Sequence, residues 1–182
     1  MRVRCTLCAA YGSVNFSMKA SRNWVPMAIR PSEWGPSLWK ILHTLAEFSS
    51  IQESVHDEEN AAWQTVVRLL PRIMPCPRCS KHFQQWLEMK PLSGILEKNG
   101  AEKREGLRLW FLECHNRVNL QNGKPELEAE KLQELYPLVR LDDVFKSLTE
   151  VLRKGQERGS VQFEDVYRWK CAIGVLRRLS SC

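Results

Sequence analysis

Pro75-Cys76-Pro77-Arg78-Cys79-Ser80-Lys81-His82-Phe83 is the stretch from which the rest of the chain can be read. Two cysteines three positions apart can close a small redox disulfide or supply half a metal site. Pro77 suits the first position of a helix, where a backbone N–H has no intrahelical partner to lose. Cys76 then falls at the cap and Cys79 in the first turn, where the helix dipole and free N–H groups favour a thiolate. Phe83, Trp86 and Leu87 continue an apolar stripe from Cys79 at helical spacing, so this helix has a face to bury.

Working outward, the same period recurs on both sides. Upstream, Ser32 is placed to cap a helix in which Trp34, Leu38, Ile41, Leu42, Leu45 and Phe48 form a stripe, while Trp39 and His43 share a neighbouring face. A polar linker, 49–57, leads to a second helix with Trp63, Val66, Val67 and Leu70, which Pro71 and Pro75 are expected to close. Downstream, a helix from about Glu102 to Leu120 buries Leu107, Trp110, Phe111, Cys114 and Val118 and presents Arg108, Leu112, His115 and Asn119 on another face. Asn122-Gly123 should stop it. A short fifth helix is expected over Leu127–Leu135, then two amphipathic helices over about Asp142–Arg153 and Phe163–Leu179, with a hinge at Gly155–Gly159. Alternating apolar and polar runs are almost lacking. The pattern predicts an all-α fold: a four-helix bundle core with a short fifth helix, plus a helical C-terminal extension. The divisions are 1–30, a flexible basic arm; 31–136, the bundle domain; and 137–182, the extension.

Composition narrows the class. At 182 residues and 43% hydrophobic the chain can bury a real core as one domain with appendages. No run approaches the roughly 18 apolar residues of a membrane helix, so a soluble protein with no membrane partner is expected. The net charge of +6 sits at the ends: the first thirty residues hold five Arg or Lys and no acid. No basic motif interleaved with aromatics accompanies that charge, which argues against nucleic acid as a partner. Seven cysteines, including the pairs Cys5/Cys8 and Cys76/Cys79, lack the spacing of a secreted disulfide ladder and point to thiol exchange or metal. The N-terminus has no continuous apolar run of the secretory type and only a weak likeness to a mitochondrial presequence. Cys114 and Cys171 lie within helical patterns and read as buried small hydrophobes, and Cys182 as a free thiol.

Four motifs together carry more. Trp34-Gly35-Pro36-Ser37-Leu38-Trp39-Lys40-Ile41-Leu42-His43, Cys76-x2-Cys79-x2-His82-Phe83, His115-Asn116-Arg117-Val118-Asn119 and Gly123-Lys124-Pro125 occur in an order and spacing that resembles the Erv/ALR family of FAD-linked sulfhydryl oxidases. The resemblance spans roughly Pro31 to Tyr136. It implies a helical bundle that grips FAD beside the redox disulfide, with Cys79 as the flavin-proximal thiol and Cys76 as the one exchanging with incoming dithiols. Electrons would pass through FAD to dioxygen, forming hydrogen peroxide, and the product would be disulfide bonds in protein thiols. The cofactor set it implies is Trp34, Trp39, His43, His82, His115, Asn116, Asn119 and Lys124. Trp34, with Trp63, Trp86 and Trp110, also fits the buried stripe of its own helix.

By the same resemblance, Cys5 and Cys8 on the basic arm are the shuttle pair, with Cys171 and Cys182 as rivals. The implied partners are protein dithiols or a thioredoxin-like relay protein, and a second copy of the chain paired through the faces of helices 1 and 2. A cytoplasmic or virion protein of a large DNA virus is the expected setting, and the mitochondrial intermembrane space the alternative. The chain departs from those family members that carry a cysteine staple between the fourth and fifth helices: Cys114 directly precedes His115, and the stretch after Pro125, Glu126-Leu127-Glu128, holds no cysteine. The rival reading is a zinc-binding helical module in which Cys76, Cys79 and His82, with His115 or Cys114, make a four-ligand set.

Overall fold

The computed structural model describes residues 29–137 and 141–180, and these contain helices and turns but no strand. In order they form α1 (Pro31–Glu47), a 3₁₀ turn (Glu53–Val55), α2 (His56–Ile73), α3 (Pro77–Met89), α4 (Ser93–Leu96), α5 (Gly100–Gln121), a second 3₁₀ turn (Ala129–Lys131), α6 (Leu132–Leu135), α7 (Asp142–Glu157) and α8 (Phe163–Ser180). The all-α expectation holds. Helices α1, α2, α3 and α5 make the bundle, and α7 and α8 are the helical extension.

Large rings set the spacing of the bundle. Trp63 on α2 meets Phe111 on α5 at 5.4 Å between centroids, and Trp86 on α3 meets Trp110 on α5 at 5.7 Å. Trp110 also donates its indole N–H to the carbonyl of Lys90 at 2.9 Å, which ties α5 to the end of α3. Each such buried ring contributes about 1.5–3 kcal/mol through the water it sheds. At its far end α5 stops as the sequence predicts. Gly123 adopts φ +64°, Lys124 N–H donates to Asn119 at 2.9 Å and Gly123 N–H to Leu120 at 3.1 Å, the paired bonds of a Schellman cap.

Several local expectations need correction. Ser32 lies inside the first turn of α1 rather than capping it; the backbone N–H of Arg30 instead donates to the Glu33 carboxylate at 2.8 Å. Pro71 does not close α2, because a proline removes only its own N–H and the following turn carries Ile73 into the core. The fifth helix begins only at the 3₁₀ turn, since the backbone of Leu127 is bonded to the side chain of Asn116 on α5. Gly155 is not a hinge. It lies within α7, where a Cβ would stand 3.0 Å from Val161 and 3.5 Å from Pro75, and the bend comes after it, at Gly159 with φ +69°. The 49–57 linker is polar as expected, but Ser49 and Ser50 are buried.

The reason for that burial is a closed polar network. Glu59 on α2 and Lys103 on α5, each 1% exposed, pair at 2.5 Å. Glu59 also accepts from the Ser49 hydroxyl at 2.8 Å and the Ser50 N–H at 2.7 Å, and Lys103 donates to Asn60 at 3.3 Å. Asn60 in turn donates to the carbonyl of Leu96 at 2.8 Å. Lys103→Met should cost about 3–5 kcal/mol in urea unfolding, since it strands a buried carboxylate, and Glu59→Met combined with it should recover much of that loss. A single variant as stable as the parent would refute this account of the network.

The extension shares the hydrophobic core of the bundle rather than forming its own. Helix α8 packs along α2 and α7 along α1, through Trp169, Ile173 and Leu176 on one and Leu148 and Leu152 on the other. That second neighbour explains why every residue of α1 from Ile41 to Ala46 is buried. Arg72 on α2 pairs with Asp165 on α8 at 3.1 Å, and Arg178 on α8 pairs with Glu58 on α2. Helices α7 and α8 of the same chain thus pack on α1 and α2, the helices through which the resemblance pairs two copies. Sedimentation should return a species of 21.2 kDa. A species of twice that mass would show that copies pair through another face.

Candidate active site

The Cys76/Cys79 pair sits where the sequence places it, at the start of α3. Cys76 caps α3 in an extended conformation, and its sulfur accepts the backbone N–H of Cys79 at 3.2 Å. The two cysteines are joined in a disulfide with Cα atoms 5.2 Å apart. Both are half-buried, so the bond is reachable from solvent at the positive end of the α3 dipole, where a released thiolate is stabilised. Phe83 and Trp86 anchor α3 beneath it, edge-on to Trp110.

A second cluster gathers the motif residues of α1 and α5. The Trp39 and His115 rings stack with centroids 4.1 Å apart and planes 6° from parallel. His43 Nε2 lies 3.0 Å from His115 Nδ1, and Tyr136, just past α6, stacks on His43 at 4.4 Å. No sequence pattern marks Tyr136. A helix as short as α6 has no period to read, and only its packing onto α1 brings the ring here. His43 is 1% exposed, and its buried Nδ1 has no hydrogen-bond partner among the described residues.

The electrostatics keep both imidazoles neutral. Burial, with His115 adding to it, holds His43 down at about 3. Burial, with the nearby Lys124 charge adding to it, holds His115 at about 4. One ring therefore donates and the other accepts across the 3.0 Å contact. Desolvation alone pushes Tyr136 above the usual phenol range.

The remaining predicted residues divide. Asn119 is buried on the His115 side of α5, one turn further on, and Lys124 follows the cap of that helix. Asn116 is turned elsewhere: its amide exchanges two hydrogen bonds with the backbone of Leu127, at 2.8 and 2.9 Å. It stitches the segment after α5 to the helix, the job that a cysteine staple would do, and Arg108 adds a bond to the carbonyl of Ala129 at 2.7 Å. Trp34 is buried in the hydrophobic core. His82 is half-exposed on α3, three residues past Cys79. Trp39, Cys76 and Cys79 all border the same core.

The other cysteines resolve partly. Cys114 is buried as expected, and burial pushes its thiol far above the ordinary range, so it is inert. Cys171 is exposed on α8, against the expectation of burial, because α8 turns a different side to α2. Cys5, Cys8 and Cys182 lie outside the described residues. The zinc reading fails on geometry: Cys76 and Cys79 are bonded to each other, and among the described residues no three His, Cys, Asp or Glu side chains converge as ligands.

A disulfide capping one helix, beside a bundle that aligns Trp39, His43, His115 and Asn119, agrees with the wider comparison. The model of the Erv1 / Alr family matches residues 36–137. The chain belongs to that family. It is 26% identical over 110 residues to a candidate FAD-linked sulfhydryl oxidase of Invertebrate iridescent virus 3, covering 60% of this chain and 70% of that one. It is 28% identical over 95 residues to the mitochondrial FAD-linked sulfhydryl oxidase ERV1 of Saccharomyces cerevisiae, covering 52% and 46%. An FAD-linked sulfhydryl oxidase of African swine fever virus matches at 27% over 103 residues, covering 57% and 79%. No solved structure matches the chain significantly. Helices α7 and α8 lie beyond the matched region. Among the described residues no helix is long and apolar enough to cross a membrane.

The neutral histidine pair has a consequence for stability. Above about pH 6.5 the folded and unfolded states carry the same charge at these sites. As pH falls from there towards about 4, the unfolded chain binds protons that the folded one refuses, so stability should drop with acidification. Urea midpoints at about pH 7 and about pH 5 should show that drop, and His43→Gln should shrink it. An equal pH dependence in parent and variant would mean that His43 is not held neutral.

Proposed function

We propose that the chain is an FAD-dependent sulfhydryl oxidase that makes disulfide bonds in protein substrates. The observation that carries this is the solvent-reachable Cys76–Cys79 disulfide at the start of α3, in a bundle that also assembles Trp39, His43, His115 and Tyr136. These residues suit FAD. The flat Trp39 and Tyr136 rings offer stacking faces, the orphaned His43 Nδ1 and the buried Asn119 amide offer polar contacts, and Lys124 offers a cation for phosphate. Bound there, FAD would accept the electron pair from the reduced cysteines and pass it to dioxygen, giving hydrogen peroxide.

The chain's own part is the exchange. A substrate thiolate attacks Cys76 Sγ, the Cys76–Cys79 bond breaks, and Cys79 leaves as a thiolate stabilised at the head of α3. A second substrate thiolate then attacks the substrate sulfur of the mixed disulfide and releases Cys76. Two electrons have entered the cysteine pair, two protons have gone to solvent, and the substrate holds a disulfide. Cys76 is the attacked sulfur and Cys79 the one nearer the cofactor, by the family resemblance.

The purified protein should show flavin absorbance that bleaches with dithiothreitol and returns as oxygen is consumed. Cys79→Ser should keep the flavin and lose turnover by on the order of a thousandfold. A colourless protein, or a Cys79→Ser variant that still oxidises dithiothreitol, would end the proposal.

A further inference from the structure

Helix α3 opens with a ridge of positive charge. Arg78 lies between the two cysteines, and Lys81 follows it at a spacing of three, so the two cations share one face of the helix. Arg78 and Lys81 are exposed, and neither makes an ion pair among the described residues. From Pro71 to Leu87 the chain holds no acidic residue at all. Three acids of the extension are paired with arginines: Asp165 with Arg72 at 3.1 Å, and Glu150 and Glu157 both with Arg153.

The extension adds to this end of the molecule. Gly155 packs so closely against Pro75, the residue before Cys76, that a Cβ there would stand 3.5 Å from the proline ring. The end of α7, with the turn into α8 that folds back on Gly155 through Ser160, is thereby seated beside Pro75. Nothing in the exchange chemistry requires so one-sided a charge.

We propose that Arg78 and Lys81, with the α7–α8 turn as an adjoining wall, form a docking surface for a partner protein whose dithiol lies in acidic sequence. This rests on the sulfhydryl-oxidase reading above and names its substrate class. Carboxylates beside a thiol disfavour its ionisation. On docking, the two cations neutralise those carboxylates, so the attacking thiolate forms where Cys76 can receive it. The chain's own Cys5 and Cys8 are a poor match for this surface. They lie in a segment of thirty residues with five Arg or Lys and no acid, so like charges meet. The occupant is a separate, acidic protein.

The test uses the FAD-loaded full chain and three dithiol peptides of equal length, with the Cys-x2-Cys flanked by glutamates, glutamines or lysines. Values of kcat/KM from oxygen consumption at low salt should rank glutamate over glutamine over lysine, with about tenfold between the extremes. High salt should collapse the ranking, and Arg78→Glu with Lys81→Glu should invert it at low salt. Equal values for the three peptides at low salt, or a preference for the lysine peptide, would overturn the docking surface alone. Failure to oxidise any peptide, and dithiothreitol as well, would overturn the oxidase reading and the docking with it.

Discussion

Lys103 holds its ammonium 2.5 Å from the Glu59 carboxylate where neither group reaches water, and the placement of α5 follows from that contact. A dry ion pair adds little to net stability, because desolvation offsets most of the Coulomb attraction. What it does is forbid alternatives. Sliding α5 by a turn would leave two bare charges in the interior, at a cost far above any gain in packing. From Lys103 the helix rises about 18 Å to His115, so the register chosen at one end decides what faces His43 at the other. Arg108 on Glu47 and Trp110 on the Lys90 carbonyl repeat the constraint along the way.

Two consequences of that register meet at the candidate site. One is a nest of flat rings, Trp39 with His115 and His43 with Tyr136, whose imidazoles stay neutral because the bundle has taken their water away. The other is the seat of α3, whose Phe83 and Trp86 lie against Trp110 and so present the Cys76–Cys79 bond at the surface. The extension completes the arrangement from outside. It packs apolar side chains on α1 and α2, and it sets the end of α7 against Pro75. Burial and exposure are thus assigned by the same packing: the histidines lose solvent while the sulfurs keep it.

Much of this was legible in the chain. The 3.6-residue stripes of α1, α2, α3 and α5 named nearly every core residue, and Pro77 and Gly123 marked a start and a stop that the structure uses. The cysteine pair, Trp39, His43, His115 and Asn119 were legible as a set of spacings. The misses share a cause. Gly155 looked like a hinge because nothing in its neighbourhood of sequence announces Pro75, eighty residues earlier. Tyr136 and the buried Ser49 likewise owe their roles to partners far along the chain.

By itself, then, the sequence determined what depends on neighbours a few residues away: helical period, caps, the oxidisable pair at the head of α3, and the family to which those spacings point. The tertiary structure decided what depends on meetings between distant segments. It set which face of α1 and α2 is left for a partner, which histidines lose their protons, and which charges stand unpaired around the disulfide. Local pattern constrains the backbone through bonds and steric contacts that span a single turn. Burial, pairing and pKa are properties of the assembled interior, and they exist only once the helices have excluded the water between them.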